Sequence, residues 1–270
     1  MRAPLITSTL ALTLLAAAGA SARAGALVDV AIEVAGVPVP LYRAVDGSGR
    51  LYFEAREGCD YALRLANRTH ERMGALVVVD GLNAISGERE EIGRRPAGRM
   101  YVLAPGDEVD VRGWRTSLDE VRRFTFVDER SSYAARVGKA NRHLGWVEVA
   151  VYRDRGAAMA RQRNEGVFGG VEGGEADGRA EAPAASADRA PKKAEGGDAR
   201  YPGTGWGASA WDPATEVRFD ATADPVERTV LRYEYAPALR ALGVLPRPWP
   251  GRDRLRERDR GEGFARAPRG

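Results

Sequence analysis

Short apolar segments separated by turn residues constrain the possible folds of this chain more than any other feature of its sequence. Val28, Val30, Ile32 and Val34 alternate with polar or small residues, which is the period of a half-buried strand. Similar short runs, among them "ALVVVDG", "RRFTFVD" and "LGWVEVAVYRD", recur along the chain, and each is bounded by Gly, Pro, Asp or Asn. The pattern predicts an all-β fold, an antiparallel and jelly-roll-like β-sandwich, over residues 27–155.

The composition of the chain changes after Asp154. Residues 156–200 consist largely of Ala, Gly, Glu, Arg and Asp. Such a segment buries too little apolar surface to offset chain ordering, which costs about 1–2 kcal/mol per residue. We therefore predict a disordered, low-complexity insertion at 156–200 and a second disordered region in the Arg-rich tail at 246–270.

Residues 201–245 regain a structured pattern. The segment "YPGTGWGASAW" is typical of a glycine-rich loop, "TEVRFDA" and "TVLRYEYA" predict strands, and "PALRALGV" predicts one or two helical turns. Two strands do not build a core alone, so we expect this segment to complete the sandwich begun at residue 27. A separate small C-terminal domain is the alternative.

The N-terminus has the features of a secretory signal peptide over residues 1–24. Arg2 precedes an apolar run at 5–18, and two small-x-small triplets, at 20–22 and 22–24, offer cleavage sites. An anchor left in place is the alternative interpretation. No later stretch approaches the roughly 20 apolar residues that a membrane-spanning helix needs. We therefore expect an exported protein, periplasmic or extracellular, without a membrane span.

The charge balance argues against one class of partner, and the cysteine content excludes one means of stabilising the fold. The chain has 41 Lys plus Arg against 38 Asp plus Glu, and without Arg2 and Arg23 its formal net charge would be +1. Such a balance gives no electrostatic basis for a nucleic-acid partner. Cys59 is the only cysteine, so the fold has no internal disulfide and depends on its core.

The usual catalytic and metal-binding patterns do not occur in the sequence. The two histidines, His70 and His143, have no second ligand three or four residues away, as a zinc site would need. No G-x-S-x-G nucleophile motif occurs. The carboxylates of "GEREEIG" lie among arginines, which predicts a solvated loop with ionised acids. We expect no metal, no cofactor and no catalytic residue.

The stretch "LVVVDGLNAISG" at 76–87 supplies two candidate site residues, Asp80 and Asn83. Its apolar run is too continuous for a half-exposed strand, so we predict a central one. Asp80 and Gly81 both tolerate positive φ and favour a tight turn, while Asn83 is suited to bond the local backbone. The alternative is a strand that delivers a carboxylate and an amide to an active site.

Trp114 and Arg115 are the other two candidate binding residues. In "LAPGDEVDVRGWR" a Pro-Gly turn joins two strands, and Gly113 would let the chain bend so that Trp114 covers one end of the core. We expect Arg115 to form an ion pair with Asp80 or Asp119, because guanidinium and carboxylate match in planar geometry. The tryptophans are interpreted as core residues, with an aromatic binding face as the alternative.

Three phrases resemble a family of bacterial exported proteins without an assigned activity. They are "VVVDGLNAISG" (77–87), "YVLAPGDEVDVRGWRTSLDEVRRFTF" (101–126) and "SSYAARVG" (131–138), which carry that family's VDGLN, GWR and SYA motifs. "GTGWG" followed by "LRYEY" is similar to the family's ending. The resemblance implies one domain interrupted by a variable linker, and it implies no reaction and no functional residues.

These features favour a non-catalytic protein that acts in binding or as a structural component of the bacterial cell envelope. The expected contact is an envelope protein, another copy of the chain, or a glycan, held by a sandwich edge and its loops. The alternative is a hydrolase that acts on a cell-envelope polymer, with Asp80, Asn83 and Trp114 nearest its cleft.

Overall fold

Two β-sheets face each other across a shared apolar core in the computed structural model. The described residues are 23–93, 97–156 and 200–246. Three predicted features lie outside them: nearly all of the signal peptide (up to residue 22), the insertion (157–199) and the tail (247–270). The predicted all-β sandwich is confirmed.

Sheet 1 has its strands in the order β10-β11-β5-β1-β2, with β13 paired to β11 and β9 paired to β5. All of its pairs are antiparallel. Its strands are β1 (Val28–Val34), β2 (Val37–Pro38), β5 (Asp60–Asn67), β9 (Glu108–Val111), β10 (Gly113–Arg115), β11 (Glu120–Asp128) and β13 (Pro202–Trp211).

Sheet 2 has the order β3-β4-β14-β12-β6-β7, with β8 paired to β6. Its strands are β3 (Tyr42–Arg43), β4 (Leu51–Ala55), β6 (Met73–Val79), β7 (Leu82–Asn83), β8 (Tyr101–Leu103), β12 (Trp146–Arg153) and β14 (Glu227–Tyr235). The expectation of antiparallel pairing fails once, because β14 runs parallel to β4. Because β14 is far from β4 in the sequence, no hairpin turn joins the two strands and they are free to pair in parallel.

Helical structure is short in the described chain. A 3₁₀ turn (Glu129–Ser131) leads into α1 (Tyr133–Arg136), and α2 (Ala236–Ala241) follows β14. The helix after β14 lies where the sequence predicts helical turns, in "PALRALGV". No described helix has the length and apolar character to span a bilayer.

Strand β6 is buried along its whole length, as expected for a central strand. Val77 and Val79 belong to the core between the sheets. Leu76 and Val78 point to the opposite face, where Met100 and other side chains cover them. Sheet 2 is therefore apolar on both faces at its centre, which explains why the sequence of β6 does not alternate.

The C-terminal segment contributes a strand to each sheet, with β13 in sheet 1 and β14 in the middle of sheet 2. Two local expectations are wrong here. The predicted glycine-rich loop at 201–211 is β13, and its glycines allow close packing, since a Cβ on Gly205 would lie 2.9 Å from Val127 Cγ1. The predicted strand at 215–221 is an irregular crossing, paired only by a bridge between Asp154 and Ala221.

Ala24, the last residue of the predicted signal peptide, packs against the fold in this structure. Its backbone forms an antiparallel bridge with Val30, and its side chain is 8% exposed and packs in the core. The described structure therefore includes the last residue of the predicted signal peptide.

We predict that Gly113→Ala destabilises the protein by about 1–3 kcal/mol, because a Cβ at this position is forced into a packed backbone. The added atom would lie 2.0 Å from the carbonyl oxygen of Arg122, so close approach of β10 and β11 explains the glycine. Urea denaturation measures the change. Gly156→Ala is the control, because its Cβ would meet nothing nearer than 3.4 Å. Equal stability of the two variants would contradict the prediction.

Candidate functional site

The Asp80 side chain is fully buried at the turn between β6 and β7. Val79 pairs with Leu82 across the turn, and the two turn residues have positive φ angles, 51° at Asp80 and 75° at Gly81. The predicted tight turn is confirmed. Gly81 is required for a second reason, because a Cβ there would lie 2.5 Å from the side-chain amide of Asn141.

The carboxylate of Asp80 accepts three hydrogen bonds from distant parts of the chain. Oδ1 accepts from the backbone N–H of Gly145 at 2.9 Å and from the hydroxyl of Tyr233 at 2.5 Å. Oδ2 accepts from the N–H of Thr204 at 2.7 Å. Thr204 lies on β13, which pairs only with β11 among the described strands, so Asp80 supplies the acceptor that a further strand would otherwise provide.

Two more hydroxyls extend this bonding across the core. Thr204 Oγ1 lies 2.8 Å from the Tyr233 hydroxyl and 2.6 Å from the Tyr61 hydroxyl. Asp80 and Tyr233 belong to sheet 2, whereas Thr204 and Tyr61 belong to sheet 1. We call these four side chains the inter-sheet network, since they join the two sheets by polar contacts inside an apolar core.

Burial governs the acid–base properties of the inter-sheet network. Burial raises the pKa of Asp80 to about 6, although its three hydrogen bonds act to lower it. Burial, and then the charge of Asp80, raise the pKa of Tyr61 and of Tyr233 well above the ordinary range. Both tyrosines are therefore neutral donors at neutral pH, and the Asp80 carboxylate has no open face for a ligand.

Asn83 is buried on β7 and organises the loop that follows it. Its Oδ1 accepts from the N–H groups of Ile85 and Ser86, at 2.8 and 3.2 Å. Its Nδ2 donates to the carbonyl oxygen of Arg99 at 2.8 Å and to Glu90 Oε2 at 3.2 Å. The expected bonds to the local backbone are confirmed, and they leave Asn83 in a structural position.

Trp114 is 1% exposed and packs inside the sandwich. Its ring meets Phe124 edge-on at 5.1 Å, and its Nε1 donates to the carbonyl oxygen of Gly205 at 3.0 Å. Trp206 and Trp211 differ, with 38% and 76% exposure on β13. The interpretation of the tryptophans as core residues therefore holds for Trp114 and is wrong for Trp211.

The predicted pairing of Arg115 with Asp80 or Asp119 is wrong. The Arg115 guanidinium forms its ion pair with Asp212, just beyond the end of β13. It also donates to the carbonyl oxygens of Asp212 at 2.9 Å and Ser117 at 3.2 Å. The side chains of Arg115 and Asp212 are 10% and 16% exposed, so a largely desolvated pair anchors the crossing segment that leaves β13.

A groove with a volume of about 1400 Å³ lies beside this ion pair. Its walls are β8, β9, the residues after β10, and the crossing segment at 212–223. Its lining includes the exposed apolar side chains of Leu118 and Val217, which are 51% and 52% exposed. Of the four predicted site residues, only Arg115 lines this groove.

The charges on the groove are balanced. Five arginines and five carboxylates line it, and several of them pair with each other. Arg64 bonds Asp110 at 2.9 Å, and Arg155 lies 3.8 Å from Asp220. The groove therefore has no strong net field of either sign, and a ligand would be selected by shape and hydrogen bonding.

A second polar cluster surrounds the partly buried Trp146. The ring of His143 stacks on Trp146 at 4.9 Å, and the guanidinium of Arg232 lies 4.0 Å from the Trp146 ring centre. His143 Nδ1 lies 3.0 Å from Glu148, which also pairs with Arg228. Burial acts to raise the pKa of Glu148, but these two partners outweigh it and hold the pKa below its usual value. The Glu148 carboxylate is therefore satisfied within the cluster.

Comparisons with known proteins do not change this picture. No protein-family model matches the chain, and no similar protein was found among the curated proteins or the solved structures. The resemblance to bacterial exported proteins stays a prediction. Within the described residues, no three His, Cys, Asp or Glu side chains form a group able to hold a metal ion.

We predict that Asp80→Asn destabilises the protein by about 2–4 kcal/mol at pH 7, because the new amide group must face a backbone N–H donor inside the core. Tyr233→Phe removes one donor and leaves both N–H groups in place, so it should cost about 1–3 kcal/mol. Chemical denaturation monitored by tryptophan fluorescence measures both. If Asp80→Asn lost less stability than Tyr233→Phe, the role assigned to the carboxylate would be contradicted.

Comparing wild type with Asp80→Asn at different pH values tests the pKa of Asp80. Its folded pKa is raised, so the folded state binds the proton more tightly than the unfolded chain. The raised pKa therefore adds its full contribution to the free energy of unfolding below about pH 4. This contribution declines as the pH rises towards 6, and above that this group no longer makes the stability depend on pH. The stability of wild type relative to Asp80→Asn should fall by about 3 kcal/mol over this window. A flat difference would contradict the raised pKa.

We predict that Arg115→Ala destabilises the protein by about 3–5 kcal/mol, because it leaves the largely desolvated Asp212 carboxylate without its partner. Arg115→Lys should recover only part of the loss, since one ammonium does not reproduce the planar fork of the guanidinium. Arg64→Ala is the control, because its side chain is 41% exposed and such surface pairs contribute about 0–1 kcal/mol. Equal losses of stability in Arg115→Ala and Arg64→Ala would contradict the role assigned to the ion pair of Arg115 with Asp212.

Proposed function

We propose that this chain is an exported, non-catalytic binding protein of the bacterial cell envelope, and that its groove holds an extended polypeptide segment of a partner protein. One observation carries the proposal. Strands from both sheets, β8 and β9, meet in the same groove together with exposed apolar side chains.

The two strands offer backbone groups to a ligand. Among the described strands, β8 pairs only with β6 and β9 only with β5, so each has one edge without a strand partner. An extended peptide binds such an edge through main-chain hydrogen bonds, and neighbouring apolar positions then select its side chains. Leu118 and Val217 are exposed at these positions.

The balance of charges also fits a polypeptide. A segment with mixed side chains finds both cations and carboxylates along the groove, whereas a polyanion would meet as many acids as bases. The aromatic residues of the lining, Tyr101 and Phe219, are both engaged. Burial raises the pKa of Tyr101 to about 12, and Phe219 packs against sheet 2. Both side chains are partly buried, so they present less ring surface to a stacking sugar than an exposed aromatic residue would.

The alternative function, a hydrolase of an envelope polymer, receives no support from the described residues. It required Asp80, Asn83 and Trp114 to line a cleft, but all three are buried. Both oxygens of Asp80 already accept hydrogen bonds from the protein. A general acid or base needs access to the substrate proton, which these positions do not allow.

The experiment starts by capturing partners from the solubilised envelope with the immobilised mature protein. The bound protein is identified by mass spectrometry, and its affinity for the pure chain is measured by calorimetry. We predict that Leu118→Asp and Val217→Asp each weaken binding at least ~10-fold, which corresponds to about 1.4 kcal/mol, because each puts a charge where an apolar side chain would pack.

Val45→Asp is the matched control, since Val45 is 70% exposed and does not line the groove. It should bind the partner as wild type does, and all three variants should melt at the same temperature as wild type. If Leu118→Asp and Val217→Asp bind the partner with unchanged affinity, the groove is not the site. Recovery of polysaccharide without protein would also overturn the proposal.

A further inference from the structure

Ala24 and the residues after it form a β-bridge and a turn that are bonded to the rest of the fold. The N–H of Ala24 donates to the carbonyl oxygen of Val30 at 2.9 Å, and the N–H of Val30 donates back to Ala24 at 2.6 Å. The Ala24 side chain packs in the core between the sheets. Removing Ala24 would leave both polar groups of Val30 without these partners on that side of β1.

The turn after Ala24 is equally specific. Gly25 has a φ of 95°, and a Cβ there would lie 2.1 Å from the carbonyl oxygen of Val28, so only glycine fits. The carboxylate of Glu227, at the start of β14, accepts from the N–H groups of Ala26, Leu27 and Val28. A side chain about 200 positions away thus holds this turn against sheet 2.

Arg23 precedes Ala24 and is largely exposed. Its guanidinium lies 3.4 Å from Asp29, and its side chain is 57% exposed. An exposed pair of this kind contributes about 0–1 kcal/mol to stability. A chain that begins at Arg23 therefore keeps the bridge between Ala24 and Val30, whereas a chain that begins at Gly25 loses it.

We infer that a signal peptidase removes the leader between Ala22 and Arg23, and that the second small-x-small triplet, at 22–24, is not the processing site. Both triplets meet the requirement for small residues, but only a cut after the first retains Ala24. Water is added across the Ala22–Arg23 peptide bond, which leaves a carboxylate on Ala22 and an ammonium group on Arg23. The inference rests on the export that forms part of the proposed function.

The test is the intact mass and N-terminal sequence of the protein recovered from the periplasm or medium of a bacterium that expresses the full chain. We expect a product that begins at Arg23. A product that begins at Gly25, lighter by one arginine and one alanine residue, would overturn this inference and leave export standing. A chain that stays uncut in the cytoplasm would overturn both, whereas the groove is tested independently by its own variants.

Two purified proteins test the physical reason. One begins at Arg23 and the other at Gly25, both released from a cleavable tag without additional residues. We expect the protein that begins at Gly25 to melt at least ~5 °C lower, since it loses two backbone hydrogen bonds and a buried methyl group. Arg23→Ala in the longer protein is the control and should melt within ~1 °C of the protein that begins at Arg23. Equal melting of the two lengths would overturn the role of Ala24.

Within the cell, Ala20→Leu disables only the first triplet and leaves residues 22–24 intact. We expect this variant to accumulate as precursor, or as a Gly25 product that is less abundant and less heat-stable than the normal protein. A Gly25 product with normal abundance and melting temperature would contradict the inference.

Discussion

A carboxylate held between two β-sheets organises this protein. Asp80 lies at a turn of sheet 2, yet two of its three donors come from β13 and β14, the strands that the distant C-terminal segment supplies. A buried ion without partners is expensive, so the folded state must bring these donors together. The requirement couples the register of both sheets to one side chain. It also explains how the N–H of Thr204 is satisfied without a second partner strand for β13, because Asp80 accepts that hydrogen bond.

The Arg115–Asp212 ion pair has a comparable role at the other end of β13. It fixes the point where the chain leaves sheet 1 and begins its irregular crossing to sheet 2. That crossing forms one wall of the groove, and β8 and β9 form another. The groove is therefore a consequence of how the sheets are connected. Leu118 and Val217 are exposed on it and its charges are balanced, which separates it from the buried network that maintains the sandwich.

Local features were predictable from the sequence. The apolar run at Val77–Val79 indicated a central strand, Asp80 and Gly81 indicated a tight turn, and Asn83 indicated bonds to nearby backbone; each depends on residues close in sequence. The partners of Asp80 were not predictable, because Thr204 is 124 residues away and Tyr233 is 153 residues away. The glycines of β13 were interpreted as a loop signal, since only the packed neighbour at Val127 shows why side chains are excluded.

The sequence by itself determined the class of fold, the positions of most strands and turns, and the absence of a recognisable catalytic motif, because propensity and periodicity act over a few residues. Tertiary structure decided what the polar residues do. It placed Asp80 in the core, paired Arg115 with Asp212, exposed Trp211 and incorporated Ala24 into a sheet. Burial and hydrogen-bond partners arise from contacts between distant segments, and no local pattern encodes which segments those are.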